Sequence, residues 1–292
     1  MEAAIGAVPP GAAPSKKENR AWARFKRNKM AMASLVIMIV LILLALLAPV
    51  IAPHDPAEQD LLNRLKPPSA EHWFGTDDLG RDLFSRVLYG ARVSLSVGIV
   101  SVVLNVLIGV TVGSLAGYYG GRVDAVLMRF VDMMLAFPSL FVMIAVVTLL
   151  RPSLLNIILV FVIFGWMGKA RLLRGQILTV KNREFVEAAR TIGMSDARII
   201  FVHILPNALA PVIISATLQM GTMILTESTL SYLGLGIQPP AASWGNLLQS
   251  AQNLTILLKA PWLPFIPGFM IFLTIMSFNF IGDGLRSALD AK

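Results

Sequence analysis

The sequence predicts an all-α integral membrane protein with six transmembrane helices and both termini in the cytoplasm. Three observations lead there. Of the 292 residues, 56% are hydrophobic and 14% charged, with a mean hydropathy of +0.71; soluble domains run near 45–50% and about 25%. So much apolar surface exceeds what one soluble core of this length would bury, which excludes a soluble enzyme and a disordered scaffold. Charge-free runs long enough to cross a bilayer recur along the chain. Lys and Arg also cluster on alternate connections, as the positive-inside rule requires.

Residues 1–15, rich in Ala, Pro and Gly, read as a disordered tail, and 16–29 as a basic cytoplasmic segment containing Arg24, Lys26, Arg27 and Lys29. Met30 to Ala52 carries no charge, and a helix rising about 1.5 Å per residue needs about 20 residues to span hydrocarbon. This first span (30–52) is too long for a signal peptide and lacks a small-x-small cleavage site, so it reads as an uncleaved anchor. An outer loop (53–92) leads to the second span (93–118), where Gly109, Gly113 and Gly117 leave one helix face open to close approach by a neighbour. The third span (127–150) contains Pro138, a kink site, and the fourth covers 152–168.

A cytoplasmic loop (169–206) precedes the fifth span (207–235), which the Gly-x-Gly-x-x-Pro-Pro stretch terminates. A second outer loop (236–261) and the sixth span (262–284) complete the chain, with Gly282-Asp283-Gly284 closing the last helix. This topology places 18 of the 25 Lys and Arg residues inside. In the loop 53–92, seven acids outnumber five bases. The formal charge of +8 therefore reflects topology and gives no reason to expect nucleic acid.

Charges within lipid are functional candidates by default. Asp132 lies one turn from Arg129 and could pair with it; Glu227 is either a structural hydrogen-bonding group or a carboxylate lining the pathway or outer gate. There is no cysteine, no phosphate-binding Gly-x-x-x-x-Gly-Lys-Ser/Thr loop and no His-Glu-x-x-His, and His54, His72 and His203 are scattered. No catalytic residues, metal ligands or directly bound cofactor are expected, and an intramembrane enzyme lacks its paired groups. A self-sufficient channel or secondary transporter is disfavoured by the few intramembrane charges.

The cytoplasmic loop carries the strongest pattern. Asn182 as N-cap, Glu184 and Glu187 in the first turns and Gly193 at the C′ position predict a short helix over 183–192, with an apolar side of Phe185, Ala188, Ala189 and Ile192. Ser195 is expected to cap a second helix that ends at Pro206. Two short helices meeting at a glycine form a protruding knob, which would lie on lipid or dock into a partner.

The string Glu187-Ala188-Ala189, then Gly193, then Ile204-Leu205-Pro206, between the fourth and fifth spans, resembles the EAA loop of binding-protein-dependent ABC importer permeases. His203 stands where the most general form of that pattern has an aliphatic residue. His72-Trp73-Phe74-Gly75-Thr76-Asp77-Asp78-Leu79-Gly80-Arg81-Asp82, Ser243-Trp244-Gly245-Asn246 and Phe278-Asn279-Phe280-Ile281-Gly282-Asp283-Gly284 narrow the resemblance to the C-type subunit of the dipeptide/oligopeptide/nickel permeases. The resemblance extends from about Trp22 to Lys292.

It implies a multi-pass permease of a bacterial or archaeal plasma membrane, paired with a sister permease, two ATP-binding subunits that hold ATP and Mg2+, and an extracytoplasmic solute-binding protein. Glu184, Phe185, Glu187, Ala188, Ala189, Arg190, Gly193, Leu205 and Pro206 would form the coupling helix and its support. Glu227, Asp132 and Asn279 are pathway or gate candidates. Asp77, Asp78, Arg81 and Asp82 would contact the binding protein or cap the outer vestibule, unless they build a self-contained salt-bridged loop. Peptides are the cargo the resemblance favours, with nickel, glutathione or another small solute as alternatives.

Overall fold

The computed structural model describes residues 17–289, so the tail expected at 1–15 lies outside the described residues. Twelve helices organise the description: α1 (Lys17–Arg27), α2 (Lys29–Leu46), α3 (Leu83–Tyr119), α4 (Gly121–Leu135), α5 (Ser139–Leu149), α6 (Leu154–Gly165), α7 (Met167–Val180), α8 (Glu184–Thr191), α9 (Asp196–Ala208), α10 (Ala210–Tyr232), α11 (Trp244–Leu247) and α12 (Trp262–Leu289). Among the described residues there is no β-strand, only a single bridge between Thr76 and Asp82. Four helices are long and apolar enough to cross a membrane: α2, α3, the α6–α7 unit and α12. There are up to six if the two bent pairs, α4–α5 and α9–α10, each count as one span.

The central element is α3, which packs on α2, α4, α6, α7 and α10. It begins at Leu83 rather than at Val93, because the Asp82 side chain accepts from Ser85 N and starts the helix as soon as the loop ends. Its 37 residues span about 55 Å, so the long loop and the 181–208 segment lie at opposite ends of the bundle. The glycine stripe is the seam with α7. A Cβ at Gly109 would lie 2.7 Å from Lys169 Cβ, at Gly113 2.6 Å from the Ala170 carbonyl, and at Gly117 2.9 Å from Ile177 Cβ.

Three other boundaries also differ from the sequence-based expectation. The fourth span does not stop at 168: α7 continues to Val180, which shortens the loop expected over 169–206. Pro206 does not end the second helix of the knob. Ile199–Ile204 form a π-turn in which Leu205 N bonds the Ile200 carbonyl, and this wider turn carries the chain through the proline to Ala208 before a 62° bend into α10. The Gly282-Asp283-Gly284 stretch lies inside α12, where Gly284 admits Phe25 of α1 and Ala31 of α2. Pro138 stands at the 80° bend between α4 and α5.

Candidate functional site

The knob at 181–208 rests on an apolar underside. Val186 and Ala189 of α8 pack with Ile199, Ile204 and Leu205 of α9 and with Leu173, Ile177 and Val180 of α7. The helix starts at Glu184 with Arg183 as N-cap and no side-chain cap bond, so Asn182 does not cap it. At the far end Gly193 adopts φ +75°, with Met194 N bonded to the Ala189 carbonyl at 3.1 Å and Gly193 N to the Arg190 carbonyl at 2.9 Å. That pair of bonds is a Schellman closure, and the left-handed residue in it favours glycine.

The predicted apolar side of α8 is divided. Ala189 faces inward, whereas Phe185, Ala188 and Ile192 are exposed, Ile192 to 71%. Glu184 and Glu187 share that exposed surface. Arg190 is occupied within the chain: its guanidinium lies 5.4 Å from the Tyr118 ring centroid, and Tyr118 OH donates to Asp196 Oδ1 at 2.6 Å. These contacts clip α8 and α9 to the last turn of α3. Leu205 is buried beneath the knob and Pro206 is exposed beside it.

Glu227 is fully buried in α10. Ser94 Oγ of α3 donates to Oε2 at 3.0 Å and Ser231 Oγ to Oε1 at 2.7 Å, while Ser94 Oγ accepts from Trp244 N at 3.1 Å. Trp244 Nε1 donates to the Val87 carbonyl at 3.0 Å, and Ser243 and Asn246 close a reciprocal capping box on α11. Glu227 thus joins α3, α10 and the loop helix α11 in one hydrogen-bonded node, and it is not among the residues that line the cavity described next.

In the long loop, Asp77, Arg81 and Asp82 are buried and Asp78 is half-buried. Asp77 accepts from the backbone N–H groups of Leu79 and Arg81 and from Arg81 Nε at 2.7 Å, with Arg86 Nε 3.4 Å away. This is the self-contained arrangement, and it leaves three of the four residues without the open exposure that a direct contact surface has. The loop still borders a cavity of about 940 Å³ whose wall includes Asp78, Arg81, Pro240, Gln249 and Asn253.

Asp132 does not pair with Arg129. It forms an exposed ion pair with Arg171 of α7, which packs on α4, and Asp124 makes a second α4–α7 pair with Arg174 at 2.5 Å. Asn279 is half-buried on α12. Two features escape a reading of the sequence. Lys169 is buried in α7 at 3% exposure, against Gly109, instead of starting the loop. His54 and His72, scattered in sequence, lie with ring centroids 4.8 Å apart, and His72 is buried.

Residues 109–292 match the model of the binding-protein-dependent transport system inner membrane component, and residues 19–68 match the N-terminal transmembrane domain of oligopeptide transport permease C. The chain is 45% identical to the oligopeptide transport system permease protein OppC of Bacillus subtilis (strain 168) over 95% of this chain and 92% of that one. It is 46% identical to the dipeptide transport system permease protein DppC of the same organism, over 93% and 85%. Among solved structures, the inward-facing MetNI methionine ABC transporter superposes with a TM-score of 0.58 over 70% of this chain and 97% of that chain, at 18% identity, a likeness of fold.

Proposed function

The chain belongs to the binding-protein-dependent transport system inner membrane components, and from that membership we propose that it is the C-type permease subunit of an ATP-driven peptide importer. It supplies half of the translocation pathway, paired with a sister permease, in a bacterial or archaeal plasma membrane with both termini cytoplasmic. Two partner subunits bind and hydrolyse ATP with Mg2+, and an extracytoplasmic solute-binding protein delivers the cargo. The chain itself performs no chemistry. Peptide cargo is supported by the names of its relatives, OppC and DppC.

The observation that carries the coupling role is the divided face of α8. Val186 and Ala189 hold it rigidly from beneath, while Phe185, Ala188 and Ile192 stand exposed beside Glu184 and Glu187. A helix secured this way transmits displacement to α7 and, through α9, to α10, and its uncovered apolar chains fit a cleft of a partner. ATP-driven closure of the partner pair would then move the knob and alternate the pathway between outward-open and inward-open.

The test is depletion of a mixed library of two- to six-residue peptides from the medium, followed by mass spectrometry, in cells with and without this gene. A subset of peptides spared only in the deletion strain supports peptide import and defines the cargo. Unchanged consumption, with redundant importers removed, overturns the peptide assignment. For coupling, Glu187→Lys is expected to reduce recovery of the ATP-binding subunits on purification, and undiminished recovery counts against docking at α8.

A further inference from the structure

We propose that the loop between α2 and α3 holds a divalent transition-metal ion of the Zn2+ type, bound by His54, His72 and Asp82. The three residues come from separate parts of the loop: His54 just beyond the end of the first span, His72 near the middle and Asp82 at the cap of α3. Folding brings them together so that one potential ligand atom from each lies within 4.8 Å of the other two. The edge from His72 Nδ1 to Asp82 Oδ1 measures 3.0 Å. Ligands about 2.0–2.1 Å from a tetrahedral ion stand roughly 3.3 Å apart. One edge therefore already has metal-site spacing, and with the others no longer than 4.8 Å a shift of the His54 ring of about 1.5 Å at most closes them.

The supporting shell is arranged as such a site needs. His54 Nε2 faces the Glu71 carbonyl at 3.1 Å; as donor there, it leaves Nδ1 with its lone pair free. Asp82 Oδ2 is held by Ser85 N at 2.8 Å and by Ser85 Oγ at 2.7 Å, which fixes the carboxylate with Oδ1 toward His72. The cluster borders a cavity of about 210 Å³ whose wall also includes Asp55, Glu58, Asp60 and Glu71, so the local field attracts a cation and there is room for water as a further ligand. Two imidazoles with one carboxylate favour Zn2+, or a neighbouring first-row ion, over Mg2+ and Ca2+, which prefer all-oxygen sites.

Without the ion, His72 Nδ1 and Asp82 Oδ1 share a hydrogen bond; the ion takes its place, with the neutral imidazole binding through Nδ1 and carrying its proton on Nε2. Bound metal would tie the end of the first span and the middle of the loop to the first turn of α3. That this happens on the extracytoplasmic side rests on the proposed orientation; the binding itself does not.

The experiment uses the full chain, purified on a tag without histidine, reconstituted in lipid nanodiscs, stripped with chelator and titrated with Zn2+ against a chromophoric chelator. One ion per chain is expected, with at least tenfold weaker binding in His54→Ala. Bound Co2+ should show the intense visible bands of a four-coordinate site, and Zn2+ should raise the Tm of the wild type more than that of His54→Ala. No stoichiometric binding by the wild type overturns the proposal, as does displacement of Zn2+ by equimolar Mg2+ or Ca2+. Identical binding in wild type and in the His54→Ala/His72→Gln double variant does the same. None of these readouts depends on cargo, so their failure is distinct from failure of the importer assignment.

Discussion

Where Asp82 caps the first turn of α3, polar groups are sealed inside the protein. The Glu227 carboxylate receives two serine hydroxyls, Asp77 gathers two backbone N–H groups and an arginine, and Trp244 bonds at both of its nitrogens. At the other end of the same helix, beyond Tyr118, apolar side chains are left outside. Phe185 and Ile192 on α8 and Phe201 and Val202 on α9 are exposed, while only their underside is packed. The first end is fastened by these internal polar bonds, although Leu62 and Trp73 of its loop are exposed, and the second by apolar packing beneath an outward apolar face, the difference that the proposed scaffold and docking roles require. The difference is testable because it assigns opposite phenotypes to the two ends: loss of folding stability at the first, loss of partner recovery at the second.

The largest effect is expected at the sealed end. Glu227→Ala removes the acceptor of both the Ser94 and Ser231 hydroxyls in a fully buried site. A buried hydroxyl left without its partner costs about 1–3 kcal/mol. Thermal unfolding in nanodiscs should show a loss on the order of 3 kcal/mol for Glu227→Ala and a smaller one for Glu227→Gln, which keeps an acceptor oxygen. Equal unfolding temperatures for Glu227→Ala and wild type would show that the node does not hold this end of the bundle together.

Next comes Gly193→Val. Nothing lies within 4 Å of a Cβ at this position, so the cost is conformational: a φ of +75° costs an L-residue about 1–2 kcal/mol, and a β-branched one more. The strain can be released by unravelling the end of α8 without disturbing the bundle. Uptake should be lost while membrane insertion and the unfolding temperature stay near wild type, and Gly193→Asn should retain much of the activity because Asn tolerates the left-handed region. Normal uptake by Gly193→Val would remove the shape of this closure from the coupling mechanism.

Ile192→Asp probes the uncovered surface directly. The residue is 71% exposed, so its replacement should leave stability within about 0.5 kcal/mol of wild type. Recovery of the ATP-binding subunits should fall about tenfold, the equivalent of 1.4 kcal/mol in docking. A fall in Tm without a loss of partners would reverse the assignment of this face.

What the sequence made legible divides along the same line. Short-range rules located α8 to within a residue at each end, because Glu184, Glu187 and Gly193 act on their own turn of helix. The apolar spans were legible for a similar reason: hydropathy accumulates along a run without reference to neighbours. The sealed end depends on pairs far apart in the chain, such as Ser94 with Glu227 and Val87 with Trp244, and periodicity carries no information about them. Asp132 illustrates the failure, since its nearest basic residue in sequence was Arg129 but the packing of α4 on α7 supplies Arg171. The meeting of His54 with His72 was equally invisible. The early start of α3 had a readable signal, Asp82 three residues before Ser85, which the charge-free-run criterion ignored because Arg86 and Arg92 follow.

The smallest expected effect separates the knob's support from its docking face. Arg190 is among the residues that the resemblance assigns to the coupling helix, yet its guanidinium lies over Tyr118. An exposed cation–π contact of this kind is worth about 0.5–1 kcal/mol. If it only steadies α8, Arg190→Ala should shift the unfolding temperature by no more than a few degrees and accelerate amide exchange across 186–192 several-fold, while the ATP-binding subunits are still recovered. Tyr118→Leu should reproduce that pattern, since it removes the other half of the contact and also the hydroxyl bonded to Asp196. If Arg190→Ala instead loses the partners as fully as Ile192→Asp while Tyr118→Leu does not, the arginine leaves Tyr118 on docking. The docking face would then extend around α8 to the side that is clipped to α3 in this structure.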